Sequence, residues 1–410
     1  MTAETQREAP RQAPSLAFAP HLNGHHDAEH DLRRAVERRT IEAVEAGRRA
    51  LDGISDAEGL LALQQRVRAV VHDALGGPMR LGPVPHTVHG GFDLPGMRVE
   101  RIAYAPRPRA HVPATLYTPS GLSAPTGAVL LACGHTDAAK ADPEYQLLAR
   151  ALCRAGLVVL VPDPIGQGER HSYPPGEAPA VGWGTREHTY AGVQSWWHGF
   201  SPARFFIEDA RAGISVLQGL DAVDPGRVGV TGHSGGGSLV TLLCAVEDRL
   251  AAAAPATFVT ARDVSIVSGQ AQDAEQIVRG ALAHGVDHAQ LLLAMAPRPV
   301  LVLAAAYDFF PLAGTLDTVR RMDEVRERVG MPPVELAVAD EGHAYSAALR
   351  ARAVEFFRRV LADEQAPPAA AEDARPPARE TPATAADLAV YPDGVRAAHP
   401  DEPMIFERTL

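Results

Sequence analysis

One stretch of the chain reads Val228-Gly229-Val230-Thr231-Gly232-His233-Ser234-Gly235-Gly236-Gly237. Its β-branched start predicts a buried strand, and its glycine-rich end predicts a tight turn into a helix. Gly232 and Gly236 flank Ser234 in a G-x-S-x-G pattern, which is typical of a nucleophile elbow because the sharp turn leaves no room for flanking Cβ atoms. The N–H of Gly235 is then one half of an oxyanion hole. A glycine-rich turn without any chemistry has the same pattern, so the rest of the chain must decide.

Apolar runs on both sides of this stretch alternate with helical segments. Continuous apolar strands separated by helices indicate a parallel sheet that is covered on both faces. The predicted strands are 128–133, 157–161, 227–230, 251–254, 300–305 and 334–338. Residues 97–104 and 111–117 instead alternate like paired antiparallel strands at one edge, after a loop over 78–95. The sequence therefore predicts an α/β fold with a mostly parallel sheet.

Composition divides the chain further. Residues 1–27 lack periodicity and predict a disordered lead-in, and residues 28–77 have the apolar spacing of two amphipathic helices. The catalytic domain is predicted to span 78–361. Residues 362–410 are rich in Ala, Pro, Glu and Asp, so they predict a flexible tail.

The charge and composition exclude several classes of protein. The 410 residues carry a net charge of −11, which argues against a nucleic-acid or anionic-membrane surface. There is no signal-peptide pattern and no 18-residue apolar run, and the three cysteines lie in apolar runs. We therefore expect a cytoplasmic enzyme with a small-molecule substrate, able to form a homo-oligomer through its N-terminal helices or its tail. The histidines before residue 31 complete no metal-ligand pattern, so neither a metal nor a cofactor is predicted.

The partners of Ser234 are expected at the ends of later strands. A serine hydroxyl needs a base, and the base needs an orienting carboxylate. Asp308 follows the predicted strand 300–305, and His343 follows the strand 334–338. The order Ser234, Asp308, His343 is the order that α/β-hydrolases use. Asp340 and Glu341 compete for the carboxylate role, but neighbours so close in sequence seldom reach the far side of the ring.

A second oxyanion donor is expected after the first parallel strand. The loop there reads Gly134-His135-Thr136-Asp137, and a main-chain N–H of His135 or Thr136 is the candidate. An ordinary turn at the end of a strand gives the same sequence, because main-chain donors have no side-chain signature.

These residues resemble the acetyl-xylan-esterase-like, dienelactone-hydrolase-related branch of the α/β-hydrolases over about residues 98–361. The resemblance rests on 232–237, on Gly134-His135 with Lys140, on Asp163-Pro164-Ile165-Gly166-Gln167-Gly168-Glu169-Arg170, and on Asp308-Phe309-Phe310-Pro311. It implies that the Asp163–Arg170 motif helps to shape a wall of the active site. There Arg170 is a candidate for holding a substrate oxygen, or forms a structural salt bridge, and Phe309 is a further candidate substrate contact.

The segment 170–201 is predicted to be a long aromatic loop or cap over the site. It holds all three tryptophans of the chain, and Trp183, Trp196 and Trp197 are candidates for a wall against a sugar ring or a flat acyl group. A hydrophobic cluster that merely pins the loop is the alternative.

The combined pattern predicts a serine hydrolase that cleaves a carboxylic ester of the carbohydrate-esterase or deacetylase type, through an acyl-enzyme. Three alternatives remain. A biosynthetic enzyme on a specialised metabolite uses the same triad for acyl transfer, cyclisation or bond cleavage. A small peptidase is disfavoured because the segment before the core is too short for the propeller of prolyl oligopeptidases. A non-catalytic binding protein is disfavoured by the complete set of Ser, Asp and His.

Overall fold

A nine-stranded sheet runs through the middle of the molecule, in the order β1-β2-β3-β5-β4-β6-β7-β8-β9. The computed structural model describes residues 28–79, 81–173, 181–270, 272–362, 381–403 and 407. Strands β1, β2, β3 and β5 pair antiparallel, and all pairs from β5 through β4 to β9 are parallel. The strands are β1 (His86–Leu94), β2 (Met97–Tyr104), β3 (Val112–Pro119), β4 (Thr126–Ala132), β5 (Val158–Pro162), β6 (Val223–His233), β7 (Ala252–Ala256), β8 (Leu301–Ala305) and β9 (Glu335–Ala339).

Helices cover both faces of this sheet. Alternate residues of a strand point to opposite faces, so Ala128 and Leu130 pack into one hydrophobic cluster while Val129 and Leu131 pack into another. The helices are α1 (Asp31–Asp52), α2 (Ala57–Ala74), α3 (Pro143–Arg154), α4 (Thr185–Trp197), α5 (Ala203–Gln218), α6 (Gly235–Val246), α7 (Arg262–Val267), α8 (His288–Leu293), α9 (Leu312–Arg328), α10 (Ala347–Leu361), α11 (Ala385–Leu388) and α12 (Val395–Ala398). Buried residues of α2, α5, α6, α8 and α9 join the first cluster, and those of α3 and α10 join the second.

The predicted α/β fold with a mostly parallel sheet is confirmed. Each predicted strand either lies inside an observed strand or has ends within two residues of the observed ends. The expected loop over 78–95 is wrong in part, because β1 occupies its second half. This edge strand is polar and half-exposed, and its register shifts between Val88 and Gly91. Its residues therefore lack the clean alternation by which strands are found in a sequence.

The N-terminal helices pack on the sheet layer. Leu60, Leu63, Val67 and Val71 of α2 are buried in the same cluster as the central strands. Apolar residues at this spacing form one face of a helix, so burial of that face fixes α2 against the domain. Residues 1–27 lie outside the described residues.

Part of the tail is ordered, which differs from what its composition predicts. Residues 381–403 were expected to be flexible, but Leu388, Val390 and Val395 are buried there. Main-chain polar groups hold the segment as well, because the carboxylate of Glu169 accepts from the N–H groups of Val390 and Tyr391. Low overall hydrophobicity predicted disorder, but these few apolar residues suffice when the folded domain supplies the opposing surface. The apolar residues Met404, Ile405 and Phe406 of the tail lie outside the described residues.

The far end of this segment is tied to the strand edge. The Glu402 side chain accepts from the main-chain N–H of His111 at 3.0 Å, and its Oε2 lies 2.8 Å from His111 Nδ1. The rings of His111 and His399 stack with centroids 3.5 Å apart.

None of the helices in the described ranges is long and apolar enough to span a membrane. Cys133, Cys153 and Cys244 are buried and unpaired, as small core residues. Burial raises the pKa of the Cys244 thiol to about 12, so this thiol stays protonated at neutral pH.

Candidate active site

The turn between β6 and α6 has the geometry of a nucleophile elbow. Ser234 stands between the two elements with φ +56° and ψ −115°, a conformation that costs free energy for any residue with a side chain. Its main-chain N–H donates to the carbonyl of Ala256 at 3.0 Å. The following helix starts at Gly235, so the first N–H groups of α6 are left free beside the serine.

The glycines on either side of Ser234 are required by close contact. A Cβ atom on Gly236 would lie 2.2 Å from the carbonyl oxygen of Ala132, and one on Gly232 would lie 2.7 Å from the main chain of Gly236. Both neighbours are main-chain atoms of packed elements, so neither has a side chain that can swing aside. The G-x-S-x-G spacing is therefore a steric requirement of this turn.

The structure pairs His343 with Asp308. His343 Nδ1 lies 2.8 Å from Asp308 Oδ1, and the Asp308 side chain is only 2% exposed. The same Oδ1 accepts from the N–H of Phe310 at 3.0 Å, which fixes the carboxylate. A carboxylate only accepts, so Nδ1 carries the proton and Nε2 keeps the lone pair that a general base needs. Asp340 and Glu341 are both exposed.

Ring contacts place His343 next to the elbow. The ring of His233, the residue before Ser234, lies 4.5 Å from the His343 ring, and the ring of Phe309 lies 4.1 Å from it. Within the described residues the Ser234 hydroxyl makes no hydrogen bond. A catalytic serine and histidine are often loosely aligned without substrate, and they tighten in the complex.

The loop after β4 approaches the elbow closely. A Cβ on Gly134 would lie 3.1 Å from Ser234 Cβ, and one on Gly235 would lie 2.6 Å from the ring of His135. The N–H of Thr136 already donates to the carbonyl of Gly134 at 3.0 Å. Thr136 is thus not available as an oxyanion donor, and of the two candidates only the N–H of His135 remains.

Gln167 is a positioning residue that the sequence analysis did not assign. Its amide donates to the carbonyls of Gly134 at 2.7 Å and Thr136 at 2.8 Å, so it holds the loop in its tight conformation. The sequence did point to this region, because Gln167 lies inside the Asp163–Arg170 motif. Its side-chain partners are main-chain carbonyls, however, and these have no pattern in a sequence.

The same motif contains a buried ionic network. Lys140 Nζ lies 2.5 Å from Asp163 Oδ2 and also contacts Glu169. Arg170 donates to Asp209 Oδ2 at 2.7 Å and to the carbonyl of Asp163 at 3.1 Å. The charge of Arg170 is therefore balanced by Asp209. Of the two roles expected for Arg170, this favours the structural salt bridge over a contact with a substrate oxygen.

A small cavity of about 40 Å³ lies beside Gly235. Its polar lining includes a cluster of two histidines and a carboxylate: His135 Nε2 lies 2.8 Å from Glu275 Oε1, and His188 Nδ1 lies 3.1 Å from the same oxygen. Burial alone would raise the pKa of Glu275, but His188 and His135 hold it well below its ordinary value. In the sequence, His188 lies within the aromatic segment 170–201 with no ligand pattern around it, and Glu275 belongs to no motif.

Residues 185–197 of the expected aromatic loop or cap form helix α4. Trp197 is 76% exposed and Trp183 is 43% exposed, and among the described residues no tryptophan lines the cavity. The start of α4 is close to the site, because a Cβ on Gly184 would lie 3.9 Å from the His135 ring. Trp197 stands at the other end of this helix, roughly 18 Å away at 1.5 Å per residue. Trp183 is thus near the site, whereas Trp196 and Trp197 are not brought to it.

Burial of His233 leads to a prediction about pH. The pKa of His233 is lowered to about 3, chiefly by burial and further by the nearby His343 and His135. Its Nδ1 is hydrogen-bonded to the hydroxyl of Thr257. The unfolded chain takes up this proton near pH 6.5, so stability from a neutral His233 is complete above that pH and is lost as pH falls toward 3. When the pH falls from 7.5 to 5.5, the free energy of unfolding should therefore decrease by about 1 kcal/mol because of His233.

The measurement is urea unfolding at both pH values for the wild type and His233→Gln. The variant should lose about 1 kcal/mol less than the wild type between them. His198→Gln, at an exposed position after α4, is the control and should behave like the wild type. Equal losses in all three proteins would show that His233 titrates normally in the folded state.

Comparison with known proteins agrees with this geometry. Residues 81–264 match the model of the acetyl xylan esterase family, a span that holds the elbow and the loop after β4 but ends before Asp308. No curated protein matches the sequence.

Solved structures share the fold at low sequence identity. The methylesterase BT1017 is 19% identical with a TM-score of 0.57, over 77% of this chain and 68% of its own. A glucuronoyl esterase from Solibacter usitatus is 14% identical with a TM-score of 0.55, over 74% and 94%. A glucuronoyl esterase from Teredinibacter turnerae is 14% identical with a TM-score of 0.52, over 76% and 90%. The chain therefore has the α/β-hydrolase fold of these esterases, and its residues 81–264 are similar to the acetyl xylan esterase family.

Proposed function

We propose that the protein is a serine esterase that hydrolyses a carboxylic ester of the carbohydrate-esterase type. The observation that carries the proposal is the strained Ser234 between β6 and α6, with the buried Asp308 and His343 pair packed against the residue before it. The match of residues 81–264 to the acetyl xylan esterase family supports the reaction class.

The arrangement accounts for each step of ester cleavage. His343 Nε2 takes the proton of Ser234 as Oγ attacks the ester carbonyl, and Asp308 stabilises the imidazolium that forms. The N–H groups of Gly235 and His135 stabilise the oxyanion. His343 then protonates the departing alcohol, and a water activated in the same way releases the acid from the acyl-enzyme.

A panel of substrates tests this function. We expect 4-nitrophenyl acetate and acetylated xylo-oligosaccharides to be hydrolysed with kcat/KM at least roughly 100-fold above that for a peptide 4-nitroanilide, because an amine leaving group needs stronger protonation than an alcohol. Peptide cleavage that equals ester cleavage would overturn the proposal in favour of a peptidase. Acyl transfer to an added alcohol with little hydrolysis would favour the biosynthetic alternative.

The same panel locates the substrate wall. Phe309 is half-exposed against the His343 ring, so Phe309→Ala should lower kcat/KM for bulky esters by about tenfold and spare 4-nitrophenyl acetate. Trp197→Ala is the matched aromatic control and should leave both unchanged, because Trp197 is far from the site. A larger loss from Trp197→Ala would restore the predicted tryptophan wall.

A further inference from the structure

The cluster beside the elbow brings together three metal-ligating side chains from separate elements. His135 comes from the loop after β4, His188 from α4, and Glu275 from a short 3-10 helix at Ala274–Gln276. One ligand atom of each residue lies within 4.8 Å of the others. His188 and Glu275 are buried, and His135 is partly buried.

Hydrogen bonding fixes which nitrogen of His188 faces Glu275. His188 Nε2 lies 2.7 Å from the carbonyl oxygen of Ile165, which only accepts, so Nε2 carries a proton. In a neutral ring, Nδ1 then presents a lone pair to Glu275 Oε1 at 3.1 Å. Two acceptors at this distance repel each other unless a cation or a second proton stands between them.

Two buried atoms of the cluster also lack a well-formed hydrogen bond. In the part of the chain that the structure describes, neither His188 Nδ1 nor Glu275 Oε2 forms a hydrogen bond. Buried polar atoms without partners are uncommon, and each calls for an explanation such as an ion at the site.

His135 also has a carboxylate near its other ring nitrogen, although beyond hydrogen-bond distance. Its Nδ1 lies 3.8 Å from Asp273 Oδ2, and its Nε2 lies 2.8 Å from Glu275 Oε1. Histidines that ligate metals commonly direct the other ring nitrogen to a carboxylate or a main-chain carbonyl. The carbonyl of Ile165 occupies that outer position for His188, and Asp273 stands near it for His135.

We propose that His135 Nε2, His188 Nδ1 and the Glu275 carboxylate bind one divalent transition-metal ion, with Zn²⁺ the best fit to two imidazoles and one carboxylate. Three protein ligands leave one coordination position open toward the cavity of about 40 Å³ beside Gly235. That volume accepts a water molecule. The site goes beyond the proposed esterase function, which needs no metal, and it replaces the expectation that the chain binds none.

Zinc titration of the full chain tests the site. The protein is stripped with a chelator and titrated with ZnCl₂ by calorimetry, and Co²⁺ is titrated in parallel by visible absorption. We expect one equivalent of Zn²⁺ per chain, and a loss of at least about 100-fold in affinity in His188→Ala and Glu275→Gln. His25→Ala/His26→Ala, in the histidine-containing N-terminal segment, is the control and should bind like the wild type.

A second, milder variant keeps the test decisive if the variants of the cluster residues fail to fold. Asp273→Asn keeps the shape of the side chain, and it should weaken zinc binding by about tenfold. The proposal is overturned if the stripped wild type binds no stoichiometric zinc, as expected when His188 holds a second proton instead. It is equally overturned if the cluster variants and Asp273→Asn bind zinc like the wild type. Labelling of Ser234 by a fluorophosphonate, read separately, shows whether the esterase proposal stands or fails on its own.

Discussion

Ser234→Ala should lower kcat for 4-nitrophenyl acetate by on the order of 10⁴-fold or more while leaving the fold intact. The loss is expected because Oγ is the attacking atom of the proposed mechanism, and neither the oxyanion donors nor His343 can replace it. Initial-rate kinetics and far-UV circular dichroism of the variant give the measurement.

The matched control for this change is Ser268→Ala. Ser268 is exposed after α7, and its hydroxyl donates to the carbonyl of Ser265. Its kcat should equal that of the wild type. Ester hydrolysis that persists in Ser234→Ala at the wild-type rate would mean that another group attacks the ester.

Asp308→Asn should lower kcat/KM by on the order of 10⁴-fold, because an amide in place of the carboxylate stabilises neither the imidazolium nor the productive tautomer of His343. Asp340→Asn makes the same chemical change at an exposed position three residues from His343, and it should have almost no effect. Steady-state kinetics of the two variants on one ester decide between the carboxylates. A severe loss in Asp340→Asn with a mild one in Asp308→Asn would reverse the assignment.

The central sheet was predictable because its strands are short, apolar and regularly separated by helices. The same holds for the elbow, where Gly232 and Gly236 must lack a Cβ for steric reasons that are local to the turn. Asp308 and His343 were predictable in sequence position, since both follow parallel strands that end at the same edge of the sheet. Their pairing depends on a contact between two loops, and only the structure shows it.

Other features depend on tertiary contacts that no local pattern encodes. Residues 381–403 have a tail-like composition, and their order comes from surfaces that distant parts of the chain supply, such as Glu169. Strand β1 is polar because it lies at the edge of the sheet. His135, His188 and Glu275 are far apart in sequence and have no ligand spacing, so the cluster is visible only once the fold brings α4 and the loop after β4 together.

The central claim is that Ser234 is the nucleophile of an ester hydrolase. Mass spectrometry of the full chain after reaction with a fluorophosphonate, followed by peptide mapping, tests it most directly. We predict one adduct per chain, on the peptide that contains Ser234, formed in step with the loss of esterase activity. Adducts on a different serine, or full activity in protein that is labelled at Ser234, would contradict it.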